Sequence, residues 1–366
     1  MTTNPKQQKD ARERLASGER HPPLVRQHSR SQLPAGVAVT RSPLCPVEND
    51  DQTQVSTAPV FGEHGISQPR AACVWNSGLL ILSCMAVLVV GSTLIWDSSV
   101  SVQEKIELMK AGQHHPVWEL NEWVNSLLFP ASFIALVNET TGVSVAHYLL
   151  TYLRDLLAGM VLYFVTGGLW HLWIYNIKGK QIFLDKGWKF PTPAVIQDQI
   201  LLAVSAMFMY AMLPVFDEWL VVNGYTKAYF YIEEIGGWGN YFLFTAVYMF
   251  FVECGVYWMH RELHDIKWAY KYIHGLHHKY NRPDTLSPWA SVAFNPIDGI
   301  LQASPYVYCL FFIPCHYLTH LILVFLTAVW ATNIHDALEC DTEPIMGSKY
   351  HTMHHTHYHC NFVQYT

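Results

Sequence analysis

The sequence predicts an all-α fold: an integral membrane helical bundle of about four spans plus a re-entrant hairpin, with a cytoplasmic helical cap rich in histidine. Three observations predict it. Only 14% of the 366 residues are charged while 51% are hydrophobic, against about 25% charged in soluble domains. Long apolar stretches recur at lengths that match a bilayer. Finally, 13 of the 20 histidines fall between His260 and His359, at spacings that belong to helices.

Residues 1–70 are rich in Gln, Ser, Pro, Arg and Lys without periodicity and read as a disordered arm. The arm lacks the charged-then-apolar layout of a signal peptide. Residues 71–150 read as an additional N-terminal span and a lumenal segment, and 151–366 as the domain that carries the chemistry. An uncharged apolar stretch over 78–96 is long enough, at about 1.5 Å per residue, to cross a hydrocarbon core of about 30 Å. Further spans are expected at 156–175, 200–216 and 241–259. The apolar region 300–330 is divided by Pro305, Pro314 and a polar tip around His316 into halves that look short for upright spans, so a re-entrant hairpin is expected there.

Charge orients these segments, because loops on the cytoplasmic side carry the excess of Lys and Arg. The basic arm, the loop with Lys178, Lys180, Lys186 and Lys189, and the segment with Arg261, Lys267, Lys271, Lys279 and Arg282 all fall on one side. The alternating loops are acidic. Every dense histidine group then lies on the cytoplasmic face. The net charge of −6 argues against nucleic acid as a partner. The eight cysteines are scattered without close pairs and read as core filler rather than a disulfide framework or thiolate site.

Three histidine groups stand out: His260 and His264; His274, His277 and His278; His351, His354 and His355. Offsets of three and four stack side chains on one helix face about 5–6 Å apart, so each group can aim its rings at a common point. Eight imidazoles exceed what one tetrahedral ion uses, and two metals are the economical reading. Neutral imidazole suits Fe, Zn, Cu and Ni, so ligand type alone leaves the metal open. Carboxylates that fix imidazole tautomers are expected nearby, and Asp265, Asp298 and Asp336 are placed for that task. Thr285 is a candidate for the substrate wall. His316 and His320 repeat the same spacing but belong to the far membrane surface, while His171, His357 and His359 read as packing or supporting groups.

HRELH at 260–264, HGLHH at 274–278 and HTMHH at 351–355 resemble the three boxes of the fatty acid hydroxylase and sterol desaturase superfamily. The surrounding segments VYWMHRELHDIK, YKYIHGLHHKYNRPDTLSPWA, PIDGILQA and NIHDALE resemble sterol C-5 desaturases, especially those of plants and algae. The similarity runs from about residue 153 to the end. It implies a membrane desaturase domain over 151–366, located in the endoplasmic reticulum membrane. It further implies introduction of the C5(6) double bond into a Δ7-sterol, with O2 as co-substrate. Electrons would come from NAD(P)H through cytochrome b5 and its reductase. The eight box histidines would be ligands of two Fe ions, joined by His335. The chemistry agrees, since iron changes oxidation state and zinc does not. Sequences of this kind read AFHP where this chain has Asn295, and they continue beyond the position of Thr366. A hydroxylase or C-4 sterol methyl oxidase on the same boxes, and a non-catalytic membrane metal carrier, are the alternatives.

Overall fold

The computed structural model describes residues 101–111, 115–338 and 345–365. The expected arm over 1–70 and the expected span over 78–96 lie outside them. Helices α1 (Val102–Lys110), α2 (Pro116–Leu128) and α3 (Ala131–Thr141) precede α4 (Val143–His171), which runs on through a π-helical turn, Leu172–Ile177. Then come α5 (Gly179–Asp185), α6 (Pro193–Tyr210), α7 (Met212–Val222), α8 (Trp238–Asp265) and α9 (Lys267–Tyr272). The chain finishes with α10 (Pro296–Cys309), α11 (Tyr317–Ile334) and α12 (Ser348–His357).

Among the described residues, four segments are long and apolar enough to cross a membrane: Val143–Ile177, Pro193–Val222, Trp238–Asp265 and Tyr317–Ile334. The protein is therefore a multi-pass membrane protein. Side chains on these segments expose apolar surface that water would not tolerate in a monomer; Phe242 and Phe250 of α8 are each 64% exposed.

Three expectations shift. The first described span starts at Val143 rather than 156. The next span runs from Pro193 to Val222 in two helices, because Pro214 supplies no amide hydrogen and its ring crowds the carbonyl one turn earlier, which breaks the helix at Ala211. Starts are set by local signals: Thr192 accepts from the Val195 amide with Pro193 in the first turn. In the hairpin, Pro305 is kept inside α10 and the turn occupies 310–316. His316 caps the next helix by accepting from the Thr319 amide at 3.4 Å. As a result α11 uses 18 apolar-rich residues, about 27 Å, and is long enough to span.

A two-residue parallel ladder pairs Ala228 with Cys315 and Tyr229 with His316, fastening the loop before α8 to the hairpin turn. One core cluster joins Tyr163 of α4 and Met207 of α6 to Leu286 and Trp289. Another joins Tyr248 of α8 to Tyr306 and Leu310. A methyl group on Gly255 would lie 2.9 Å from Cβ of Pro305, so α8 and α10 approach closely there. Cys254, Cys309 and Cys315 are free thiols in apolar surroundings, as expected. Cys360 departs from that expectation, being disulfide-bonded.

Antiparallel packing brings the C-terminal ends of α4, α8 and α11 to one end of the bundle with the N-terminal ends of α6 and α10. At the opposite end, buried carboxylates meet buried histidines: Glu218 Oε1 lies 2.7 Å from His147 Nε2, and Asp217 Oδ2 lies 2.9 Å from His320 Nε2. His320 and His316, whose Nε2 donates to the Phe230 carbonyl 2.8 Å away, thus stand apart from the other cluster.

Candidate metal centre

His260 and His264 sit one turn apart on the last turns of α8. The second box is not α-helical. His274–Lys279 forms a tighter 3-10 helix, entered past Gly275, where a methyl group would stand 2.9 Å from the Tyr270 carbonyl oxygen. His351, His354 and His355 lie on α12, and His335 follows the end of α11. Both triplets straddle two groups. Ring nitrogens of His260, His264, His274, His278 and His354 lie within 4.8 Å of one another, as do those of His277, His335, His351 and His355.

Tautomers follow from acceptors on the outer side of each ring. His260 Nδ1 donates to the Phe362 carbonyl at 3.0 Å, His274 Nδ1 to Asp298 Oδ2 at 2.8 Å, His335 Nδ1 to the Ala331 carbonyl at 2.6 Å and His354 Nδ1 to the Cys360 carbonyl at 2.8 Å. Each of these rings then turns an Nε2 lone pair inward. His260 Nε2 and His274 Nε2 face each other at 3.1 Å, with His278 Nε2 3.0 Å from the latter. In the other group His335 Nε2 lies 3.1 Å from His277 Nε2 and 2.9 Å from His351 Nε2, which is 3.1 Å from His355 Nε2. Buried Nε2 of His264 and His354 have no hydrogen-bond partner.

Lone pairs pressed together in this way repel unless a cation lies between them. A cation about 2.1 Å from each nitrogen separates donors at right angles by about 3.0 Å, and tetrahedral donors by about 3.4 Å. The observed contacts of 2.9–3.1 Å lie in the range that ligands of a shared cation would adopt. Burial, reinforced by neighbouring imidazoles, lowers the proton affinity of His277, His278, His351 and His355, and burial holds His335 at about 4 and His354 at about 3. Those six rings are therefore neutral near pH 7, the form that ligates metals.

The three candidate supporting carboxylates differ in placement. Asp298 is fully buried, holds His274 and accepts from Gln302 Nε2 at 2.7 Å through its other oxygen. Asp336 is buried; its carboxylate accepts from the Leu338 amide at 2.9 Å and its carbonyl accepts from Thr352 of α12, which fastens the segment after His335 to that helix. Asp265 points outward, paired with Arg261 at 3.1 Å on the half-exposed helix surface, since it lies on the opposite side of α8 from the rings. Three of the four rings with a fixed tautomer are held by main-chain carbonyls, of Ala331, Cys360 and Phe362, which no side-chain pattern announces. Asn295 caps α10, accepting from the Ile297 amide at 2.9 Å. His171 accepts from Trp289 Nε1 at 3.2 Å and stays outside both groups.

A cavity of about 270 Å³ runs between α4, α6, α8, α10 and α11, and its wall includes His260, His277, His335 and His351. Elsewhere the lining is mainly apolar. Thr285 is not part of that wall: its hydroxyl closes a turn with Arg282, accepting from the amide at 3.0 Å and donating to the carbonyl at 3.1 Å.

Fold and site together define a multi-pass helical membrane protein with two buried all-imidazole clusters opening onto an apolar cavity. The fatty acid hydroxylase family model matches residues 245–366. A Delta(7)-sterol-C5(6)-desaturase of Nicotiana tabacum is 44% identical over 220 residues, covering 60% of this chain and 80% of that protein. Fungal relatives are more distant: a Delta(7)-sterol 5(6)-desaturase of Candida glabrata is 32% identical over 214 residues, 57% of this chain and 55% of that protein. That of Saccharomyces cerevisiae is 33% identical over 216 residues, again 57% and 55%. The chain belongs to the sterol C5(6)-desaturase family within the fatty acid hydroxylase group. No solved structure matches it significantly.

Proposed function

We propose that this chain is a sterol C-5 desaturase that introduces the C5(6) double bond into a Δ7-sterol at a di-iron centre. The observation that carries the proposal is the cavity wall shared by both imidazole clusters, with His260 from one and His277, His335 and His351 from the other. An apolar ring system lying there has its C–H bonds against the metal site. A metal carrier would instead need a polar path, which this lining does not provide.

When bound, the two iron ions supply the redox change and O2 activation that an unactivated C–H bond requires. Two hydrogens leave adjacent carbons, and O2 is reduced to two waters with two electrons from NAD(P)H. The chain's own residues prepare that site. His260, His264, His274, His278 and His354 would hold one ion, and His277, His335, His351 and His355 the other. Asp298 fixes the His274 tautomer, and the Phe362, Ala331 and Cys360 carbonyls fix their rings. The apolar wall excludes water and selects which carbons lie nearest, which separates desaturation from hydroxylation.

We place residues 151–366 as the catalytic part and the protein in the endoplasmic reticulum membrane, with the histidine end cytoplasmic. Cytochrome b5, served by its reductase, is the proposed electron donor. Of the four basic residues that would attract it, Lys279 is paired with Asp198 at 2.7 Å and Arg282 with Asp284 at 3.3 Å, which leaves Lys267 and Lys271 as the better docking groups. The test is a sterol profile from a host lacking its own Δ7-sterol C-5 desaturase. A Δ5,7-diene is expected; a hydroxylated sterol or unchanged Δ7-sterol contradicts the proposal.

A further inference from the structure

Of the polar side chains that line the cavity outside the imidazole groups, among the described residues, one has a buried atom without a hydrogen-bond partner. Gln364 lines the cavity, and its buried amide nitrogen has no hydrogen-bond partner. A buried polar group left unpaired costs about 1–3 kcal/mol, so its retention in this mainly apolar wall calls for a ligand. The backbone beneath it is pinned: the Gln364 amide donates to Glu253 Oε1 at 3.0 Å, and its carbonyl accepts from Trp330 Nε1 at 3.0 Å. The side chain is thus presented from a fixed position.

Hydroxyl groups line the same cavity. Thr327 Oγ1 donates to the Leu323 carbonyl at 2.9 Å, so it receives hydrogens from the hydroxyls it meets, those of Tyr306 and Tyr365, the latter at 2.7 Å. Tyr306 and Thr327 also line the cavity, and the Tyr306 oxygen keeps a lone pair. A free amide donor and a hydroxyl acceptor on one cavity wall complement an alcohol, which both accepts and donates.

The position also suits the geometry. Glu253, which holds the Gln364 backbone, precedes His260 by seven residues, about 10 Å along the α8 axis. A group anchored there leaves room for the neighbouring ring between the anchor and the imidazoles. In a sterol the 3-hydroxyl lies on the ring adjoining the one that contains C-5 and C-6.

We infer that Gln364 anchors the 3-hydroxyl group of the substrate, setting which carbons face the metal site. This rests on the sterol reading above. The experiment is a cycle of protein and ligand changes, read as equilibrium binding to the full-length, metal-loaded protein in lipid nanodiscs. A 3-hydroxy Δ7-sterol and its 3-deoxy analogue are compared on the unsubstituted protein, Gln364→Leu and Gln364→Met. The unsubstituted protein is expected to prefer the alcohol by about tenfold, and both variants to bind the two ligands equally, with affinity for the deoxy analogue unchanged. A preference that survives either substitution, or a loss that falls equally on both ligands, overturns the anchor while leaving the sterol reading intact. Failure of the unsubstituted protein to bind either sterol defeats the sterol reading, and the anchor with it.

Discussion

Replacing Asp298 by Asn isolates the contribution of the carboxylate that holds His274. Both side chains of the His274–Asp298 pair are fully buried, with the ring nitrogen 2.8 Å from the carboxylate. Asn keeps the shape and an acceptor but removes the charge that makes the bond short and raises the basicity of the opposite nitrogen. Loss of such a partner typically costs 10–100-fold in metal affinity, about 1.4–2.7 kcal/mol. Asp265→Asn provides the contrast, because its bond to Arg261 is on the surface, with side chains 49% and 41% exposed, and such pairs contribute about 0–1 kcal/mol. Iron affinity measured by chelator competition should therefore fall at least tenfold in the first variant and less than about threefold in the second. Equal effects, or none in Asp298→Asn, would refute the argument that tautomer control at His274 tightens the site.

Other consequences follow from the same packing. Gly167→Ala places a methyl group 2.8 Å from the Trp289 ring, and should lower stability by about 1–3 kcal/mol in thermal or denaturant unfolding. Thr285→Ala removes only a turn hydroxyl, so product formation should stay within about twofold in a microsomal turnover assay. For protein stripped of metal, buried His335 and His354 protonate only near about 4 and about 3, whereas unfolded histidine does so near about 6.5. Because the unfolded state takes up more protons between those limits, unfolding temperature should drop as pH falls from about 6.5 to 4; a flat profile over that range contradicts the burial argument.

Much of the site was legible because histidine spacing reports helical neighbours directly. Spacing singled out the three boxes and the family resemblance added His335, and the helices bring all nine rings together. What spacing could not show was the partition. His277 and His278 join different groups, as do His354 and His355, because neighbouring residues on a helix point about 100° or more apart, and which ring joins which group depends on how the helices pack. Supporting groups were harder still. Asp265 and Asp298 are both near a box in sequence, yet only the second faces a ring, and the carbonyls of Ala331, Cys360 and Phe362 carry no sequence signature. Span ends moved for similar reasons: Pro214 and His316 act through backbone geometry, which hydropathy does not register. Gln364 escaped notice because a lone amide becomes informative only beside a cavity.

The central claim is that two imidazole groups at one end of the bundle each hold a metal ion. Iron counted per chain in the purified full-length protein tests it most directly, alongside His354→Ala and His335→Ala, which remove one ring from each group. The account predicts two irons in the unsubstituted chain and about one in each variant. A single iron in the unsubstituted chain, or two retained in either variant, contradicts it.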